Sequence, residues 1–319
     1  MKQVMFTLAV LLNAYMLSAC SINIGADRSA GHYERDAAGY GANDGVIERS
    51  LSVRPFTALE CRLPASVTYV QTNDQVPKVV LKGAPAMVER CVVDVRDGKL
   101  QLYLVQKAKQ SMKRFSQSRN QLNITVYGGR LTALAVQSAC TFYAAQLETS
   151  QLALSNAGAS SIRVGRFAGQ QLTMSCSGAS STKLAGNVAK LMLNVTGASS
   201  FVANEFTTQD LKAKVSGAST AKCALQGSAG VDVSGASTLT LSGTADLFTI
   251  KCSGASSVKA ADLKAQNVVV DVAGASGVKC YAARSIKGTV GCGSLTYGGR
   301  PTSYNVERQN TSASIKAVD

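Results

Sequence analysis

The sequence predicts an all-β protein: a parallel β-helix, or solenoid, of Gly-Ala-Ser repeats about 19 residues long, preceded by a strand-rich portion continuous with it. The repeat itself is the first observation. Gly-Ala-Ser begins at Gly158, Gly178, Gly197, Gly217, Gly235, Gly254 and Gly274, with successive spacings of 20, 19, 20, 18, 19 and 20. Degenerate copies stand on either side, at Ser138-Ala139-Cys140 and Gly291-Cys292-Gly293.

The second observation is a period of two on both sides of each turn. Two residues before the glycine stand Cys176, Val195, Val215, Val233, Cys252 and Val272. Four before it stand Leu154, Met174, Leu193, Ala213, Val231, Ile250 and Val270. Four after it come Ile162, Thr182, Phe201, Ala221, Leu239, Val258 and Val278, and six after it Val164, Leu184, Ala203, Cys223, Leu241, Ala260 and Cys280. Alternation of this kind places one face of a strand inward. The third observation is length: a unit this short has no room for two helices, so strands must stack coil on coil at about 4.8 Å. Glycine supplies the freedom for a sharp corner, and the serine column is placed to chain its hydroxyls.

The portion before the repeats, residues 46–136, reads as strands. Phe56–Leu59, Cys61–Leu63, Val67–Gln71 and Val79–Leu81 are followed by a short helix at Ala86–Arg90. Cys91–Val95, the Asp97-Gly98 turn and Leu100–Leu104 predict a hairpin. The run Lys107–Arg119 is basic without an apolar stripe and reads as a solvated loop. The repeats occupy 137–301, and 302–319 reads as a polar tail that covers the last coil only lightly, which points to a homo-oligomer.

The first nineteen residues predict a signal peptide. Lys2 precedes an apolar run that closes on Leu17-Ser18-Ala19-Cys20, the pattern of a lipobox. Cleavage before Cys20 and lipid attachment to its thiol follow as expectations, and 20–45, rich in glycine, reads as a tether. His32, the one histidine, lies in that tether and is read as solvated. The expected place is the cell envelope, lipid-anchored at the outer membrane on an undetermined face.

Formal charge is +14 at pH 7, or +13 without Lys2, and hydrophobic residues make up 46% of the chain. The second figure excludes a disordered protein; the first predicts anionic partners. Export argues against nucleic acid and for an anionic glycan or another envelope protein, beside the membrane reached through the lipid. Five residues after the glycine, the outward column reads Arg163, Lys183, Val202, Lys222, Thr240, Lys259 and Lys279. This basic stripe is the candidate ligand-binding surface, with a solubility role as its alternative. Three residues before the glycine, Lys214, Asp232, Lys251 and Asp271 alternate in sign, which suits register-setting pairs.

Eight cysteines remain beyond Cys20. Cys176 and Cys252 share a column but stand four coils apart, about 19 Å, beyond the ~7 Å a disulfide spans. Cys223 and Cys280 are three coils apart in another column. These thiols fill slots used elsewhere by Val, Leu or Ala and read as small buried hydrophobes. Cys61 with Cys91 remains a candidate disulfide.

The ordered set of motifs resembles the Bacteroidota lipoprotein family of autotransporter adhesins with a head GIN domain. The residues that carry it are Val53-Arg-Pro-Phe56-Thr-Ala-Leu59, Asp97-Gly98-Lys99-Leu100, Ile124-Thr-Val-Tyr127 with Leu131-Thr-Ala-Leu134, the Gly-Ala-Ser turns, and Gly291-Cys-Gly-Ser294-Leu-Thr-Tyr297-Gly298-Gly-Arg-Pro301. The resemblance implies a right-handed β-helix and an adhesive surface role, with no catalytic residues and no cofactor. Ala and Cys replace the Ser or second Gly the family often has, a change the fold should absorb.

A polysaccharide-cleaving enzyme is the rival class. It needs paired carboxylates about 5–9.5 Å apart or an acidic cluster for a cation. Only Asp232 and Asp271 share an outward column, two coils apart, with Lys251 between them. The expectation is therefore a protein that is not an enzyme and holds neither cofactor nor metal; an assembly protein of the envelope is the other alternative.

Overall fold

The computed structural model describes residues 45–73, 76–105 and 122–318. The signal peptide, Cys20, the tether with His32 and the basic run Lys107–Arg119 lie outside the described residues. One compact unit spans Asp44–Asp319. It is all-β, with about nine turns of parallel solenoid.

The chain begins with β1 (Ile47–Ser52), β2 (Ala58–Arg62), β3 (Ser66–Gln71) and β4 (Lys78–Gly83). Then come α1 (Pro85–Arg90), β5 (Cys91–Arg96), β6 (Lys99–Leu104), β7 (Leu122–Gly128), β8 (Ala133–Gln137), β9 (Thr141–Glu148) and β10 (Gln151–Asn156). The expected hairpin is present: β5 and β6 pair antiparallel, from Cys91 opposite Leu104 to Arg96 opposite Lys99. The expected helix is present too, one residue longer at its start because Pro85 fits the first turn, where no amide donor is needed.

Seven long strands carry the repeats: β11 (Ser161–Cys176), β12 (Ser181–Val195), β13 (Ser200–Val215), β14 (Thr220–Val233), β15 (Thr238–Cys252), β16 (Ser257–Val272) and β17 (Gly277–Val290). Each runs from one Gly-Ala-Ser corner to the next and bends midway, so one strand covers two sides of a coil. Neighbours pair in parallel throughout. Burial alternates as the sequence predicts. The column Leu100, Leu59, Leu134, Leu154, Met174, Leu193, Ala213, Val231, Ile250 and Val270 is buried along its whole length. Burial of this kind, at roughly 25 cal/mol per Å² of apolar surface, is the main term holding the coils together.

Parallel stacking reaches beyond residues 137–301 at both ends. β2 lies between β6 and β8, and β3 between β7 and β9, all in parallel. An early piece of chain is thus inserted as a complete coil between two later ones. The step from β7 to β8 passes over it. Thr132 donates its amide to the Thr57 carbonyl, and Tyr69 its hydroxyl to the Gly129 carbonyl. Beyond β6 and β7 the stack changes hand of pairing, with β5 antiparallel on one side and β4 then β1 antiparallel on the other. Met87 and Val88 of α1 join the core here.

At the other end, β18 (Ser294–Gly298), β19 (Ser303–Arg308) and β20 (Ser314–Ala317) complete the stack. The segment expected to be a tail therefore adds a further, mostly exposed layer: β19 on β17, β20 on β18. Its polarity hid the strands from pattern reading, because as the last layer it has little to bury. Tyr304, in the inward column after Ile286, is 48% exposed and meets Tyr297 at a ring separation of 5.7 Å.

The serine column is buried but does not chain as expected. One link runs hydroxyl to hydroxyl, Ser180 to Ser199 at 3.2 Å. The others turn to carbonyls: Ser256 donates toward Ser253 at 2.6 Å and toward Val233, one coil down, at 3.1 Å. A carbonyl three residues back is nearer and more fixed than a rotating hydroxyl.

Candidate functional site

Strand register fixes what each outward column presents. The parallel pairings carry Tyr143 onto Arg163, Arg163 onto Lys183, then Val202, Lys222, Thr240, Lys259, Lys279, Thr296 and Lys316. The expected basic stripe is thus brought together as a straight ladder, one residue per coil. Arg163, Lys183, Lys222, Lys259 and Lys279 are all exposed. From Arg163 to Lys279 is six coil steps, roughly 29 Å at the strand spacing.

Lys316 extends the ladder and was missed by the sequence reading. Its signal is weak, because it depends on the last polar segment forming another layer on β18. Tyr143, 42% exposed, stands at the opposite end.

Beside this ladder, two residues nearer the corner, runs a column of hydroxyls: Thr141, Ser161, Ser181, Ser200, Thr220, Thr238 and Ser257, then Gly277, Ser294 and Ser314. Neither column holds an acid. Among the described residues, no carboxylate comes within 4.0 Å of Arg163, Lys183, Lys222, Lys259, Lys279 or Lys316. Adjacent cations, Arg163 with Lys183 and Lys259 with Lys279, repel by up to about 1 kcal/mol at ~4.8 Å in water. The face carries a positive charge that the described residues leave unneutralised, next to neutral donors.

The other outward face differs. Register stacks Asn194, Lys214, Asp232, Lys251, Asp271, Thr289 and Glu307 in one column, so charges do alternate. The four central groups nevertheless form no ion pair within 4.0 Å; Asp271 instead accepts from Thr289 at 3.2 Å. Long exposed side chains lose too much freedom to hold such pairs. The pair that does form on this face is Lys190 with Asp210, at 3.8 Å.

The described residues hold no group of three or more His, Cys, Asp or Glu disposed around one point. The hollow at the C-terminal corner is lined by Gly274, Ala275, Ser276, Cys292, Gly293, Ser294, Ser312 and Ser314, with no acid or base among them. No helix of the described residues is long and apolar enough to cross a membrane.

The thiols are buried, apart from the half-exposed Cys292, and all eight are free. Burial raises Cys223 and Cys280 to about 12. It raises Cys176 to about 11, where a hydrogen bond from Thr182 opposes the rise. Protonated and enclosed, they pack as small hydrophobes. Cys61 and Cys91 do not pair: β6 lies between their strands and they stand opposite Leu102 and Leu104 of it, so more than two strand spacings, over about 9.6 Å, separate them.

Comparison with known proteins finds the following similarities. A structure from Bacteroides fragilis, described as a "putative adhesin", is 18% identical, covering 86% of this chain and 98% of its own, with a TM-score of 0.43. One from Parabacteroides distasonis, described as a "putative lipid binding protein", is 18% identical over 87% and 98%, with a TM-score of 0.47. A third, from Parabacteroides merdae and also a "putative adhesin", is 14% identical over 86% and 96%, with a TM-score of 0.48. No curated protein matches. The profile of the family described as "Putative auto-transporter adhesin, head GIN domain" matches residues 55–238 and 226–301, most of the chain, and the protein belongs to that family.

Proposed function

We propose that this protein is a lipid-anchored adhesin of the cell envelope, held at the outer membrane through Cys20, that binds acidic polysaccharide and catalyses no reaction. The observation that carries the reading is the ladder Arg163, Lys183, Lys222, Lys259 and Lys279, continued by Lys316, with no carboxylate of the described residues beside it. Five cations over the seven coils from Arg163 to Lys279, interrupted at Val202 and Thr240, suit a polymer lying along the solenoid axis. Each anionic group would sit near one coil, and the hydroxyl column would bond the neutral parts of the chain. Family membership supports a surface role in general terms. Binding by a row of exposed cations is weak per contact, about 0.2–1 kcal/mol, so affinity must come from the number of coils engaged.

The test compares the protein with a Lys183→Ser, Lys222→Ser, Lys259→Ser, Lys279→Ser variant on polygalacturonate and on neutral dextran. Affinity for polygalacturonate should fall at least roughly five-fold in the variant, and should fall with salt in the unaltered protein. It should also rise with oligomer length until the ladder is spanned. Equal binding by both proteins, or binding to dextran as strong as to polygalacturonate, would sink the proposal.

A further inference from the structure

The inserted coil brings together two thiols that are far apart in sequence. β2 places Cys61 directly beneath Val136 of β8, two residues before that coil's corner. Cys140 occupies the corner position that is serine in the regular repeats. There, the serine side chain reaches one coil down, to the corner glycine from Ser199, Ser219 and Ser237 and to the residue two before the corner in three other repeats. Ser160 bonds the Val136 carbonyl at 3.3 Å, Ser256 that of Val233 at 3.1 Å, and Ser276 that of Cys252 at 3.1 Å. By the same geometry Cys140 reaches down to Cys61. Both are fully buried, at 1% and 0% exposure.

We propose that Cys61 and Cys140 are the site of a disulfide that fastens the inserted coil β2–β3 to the coil above it. The bond forms as both thiols lose their hydrogens. Two electrons and two protons pass to a partner disulfide, which is reduced to two thiols through a mixed-disulfide intermediate. A disulfide-bearing oxidant of this class is available to exported proteins, and to that extent the proposal rests on the export reading. The neighbouring Cys140 thiol and burial both hold the Cys61 thiol well above its ordinary range. Exchange needs a thiolate and access, so the bond must close during folding, before the coil is covered. Once closed, it lies out of reach of small reductants.

The placement has a structural consequence. β2 and β3 pair with strands about 75 residues further along, from Ala58 opposite Ala133 to Ser66 opposite Thr141. A link across that separation removes freedom from the unfolded chain where the native contacts are least local.

The experiment refolds the full chain with oxidised and reduced glutathione, blocks free thiols under denaturing conditions, and maps peptides without reduction. This readout does not depend on where the protein resides, so failure of the export reading leaves it intact. Peptides containing Cys61 and Cys140 should be recovered joined. Dithiothreitol should leave the bond closed in native protein and open it in denaturant. Full reduction should lower the thermal midpoint by roughly 5–10 °C. Cys61→Val and Cys140→Ser each install the residue that neighbouring coils use at that position, so both should fold, and in both the midpoint should lose its sensitivity to reductant. Complete blocking of both thiols, or a link from Cys61 to Cys91, would overturn the proposal.

Discussion

Each coil has two corners, and they treat length in opposite ways. Between consecutive Gly-Ala-Ser corners the chain runs 18, 19 or 20 residues, yet those seven corners keep register with one another; only the degenerate last one is a residue shorter, with Val272 opposite Val290 and Gly277 opposite Ser294. The other breaks fall on the far side of the coil, around its bend: between Val164 and Phe167, Lys183 and Ala185, Ala203 and Thr207, Thr208 and Asp210, Gly227 and Ser228, Thr240 and Gly243, Ala260 and Lys264, or Ala265 and Asn267. At the near corner the backbone is itself hydrogen-bonded from coil to coil. Ala218 donates to the Gly197 carbonyl and Ala236 to that of Gly217, both at 2.7 Å. A turn that stacks on its neighbour through its own amides must keep one geometry. A bend that carries bulges can take up an extra residue by looping it into solvent. Sequence repetition therefore marks where coils are locked together, and irregularity marks where the solenoid tolerates change.

The strongest break of this contrast would be one residue added to the locked corner. Duplicating Ala218 should shift the next strand by one and turn its buried side chains outward. Loss of a single cooperative thermal transition, followed by circular dichroism, is the expected outcome. Less drastic is Gly217→Ala. Gly217 has φ +81°, and an added Cβ would lie 2.6 Å from the Gly197 carbonyl oxygen. Strain and overlap together should cost about 2–4 kcal/mol in urea unfolding.

The core that both corners enclose supplies the next effect. Cys223 and Cys280 are held near 12 when folded, against about 9 for a free thiol. The folded state then keeps protons that the unfolded state gives up. Stability is full below pH 9 and declines as pH rises from there toward 12. The slope should be on the order of 1 kcal/mol per pH unit for each thiol. A Cys223→Ala, Cys280→Ala variant, matching Ala203 and Ala260 of neighbouring coils, should show a shallower decline between pH 9 and 11.

Smaller still is Ser237→Ala at the locked corner. Ser237 donates to the Ser234 carbonyl at 2.7 Å and to Gly217 at 3.3 Å, so its loss should cost about 1 kcal/mol. Deleting Asn204, exposed on the far bend within a three-residue bulge, should change unfolding stability least, by under about 1 kcal/mol. A deletion there as damaging as the insertion at Ala218 would dissolve the distinction between the corners.

The repeat, its phase, its inward columns and the basic stripe were all legible in the sequence. Period-two alternation and a fixed corner are local, and stacking like on like turns a sequence column into a spatial one. Arg163, Lys183, Lys222, Lys259 and Lys279 could be aligned from the glycine positions alone. What the tertiary structure alone decided is non-local. Alternation shows that β2 and β3 have an inward face, but not that they slip between β6–β7 and β8–β9. Many partners satisfy a short apolar strand equally well, and the choice is made by which stack buries the most surface. That choice separates Cys61 from Cys91 and sets it beneath Cys140. It also fixes Lys316 on the ladder, because a polar last layer reveals itself only once there is a β18 for it to cover.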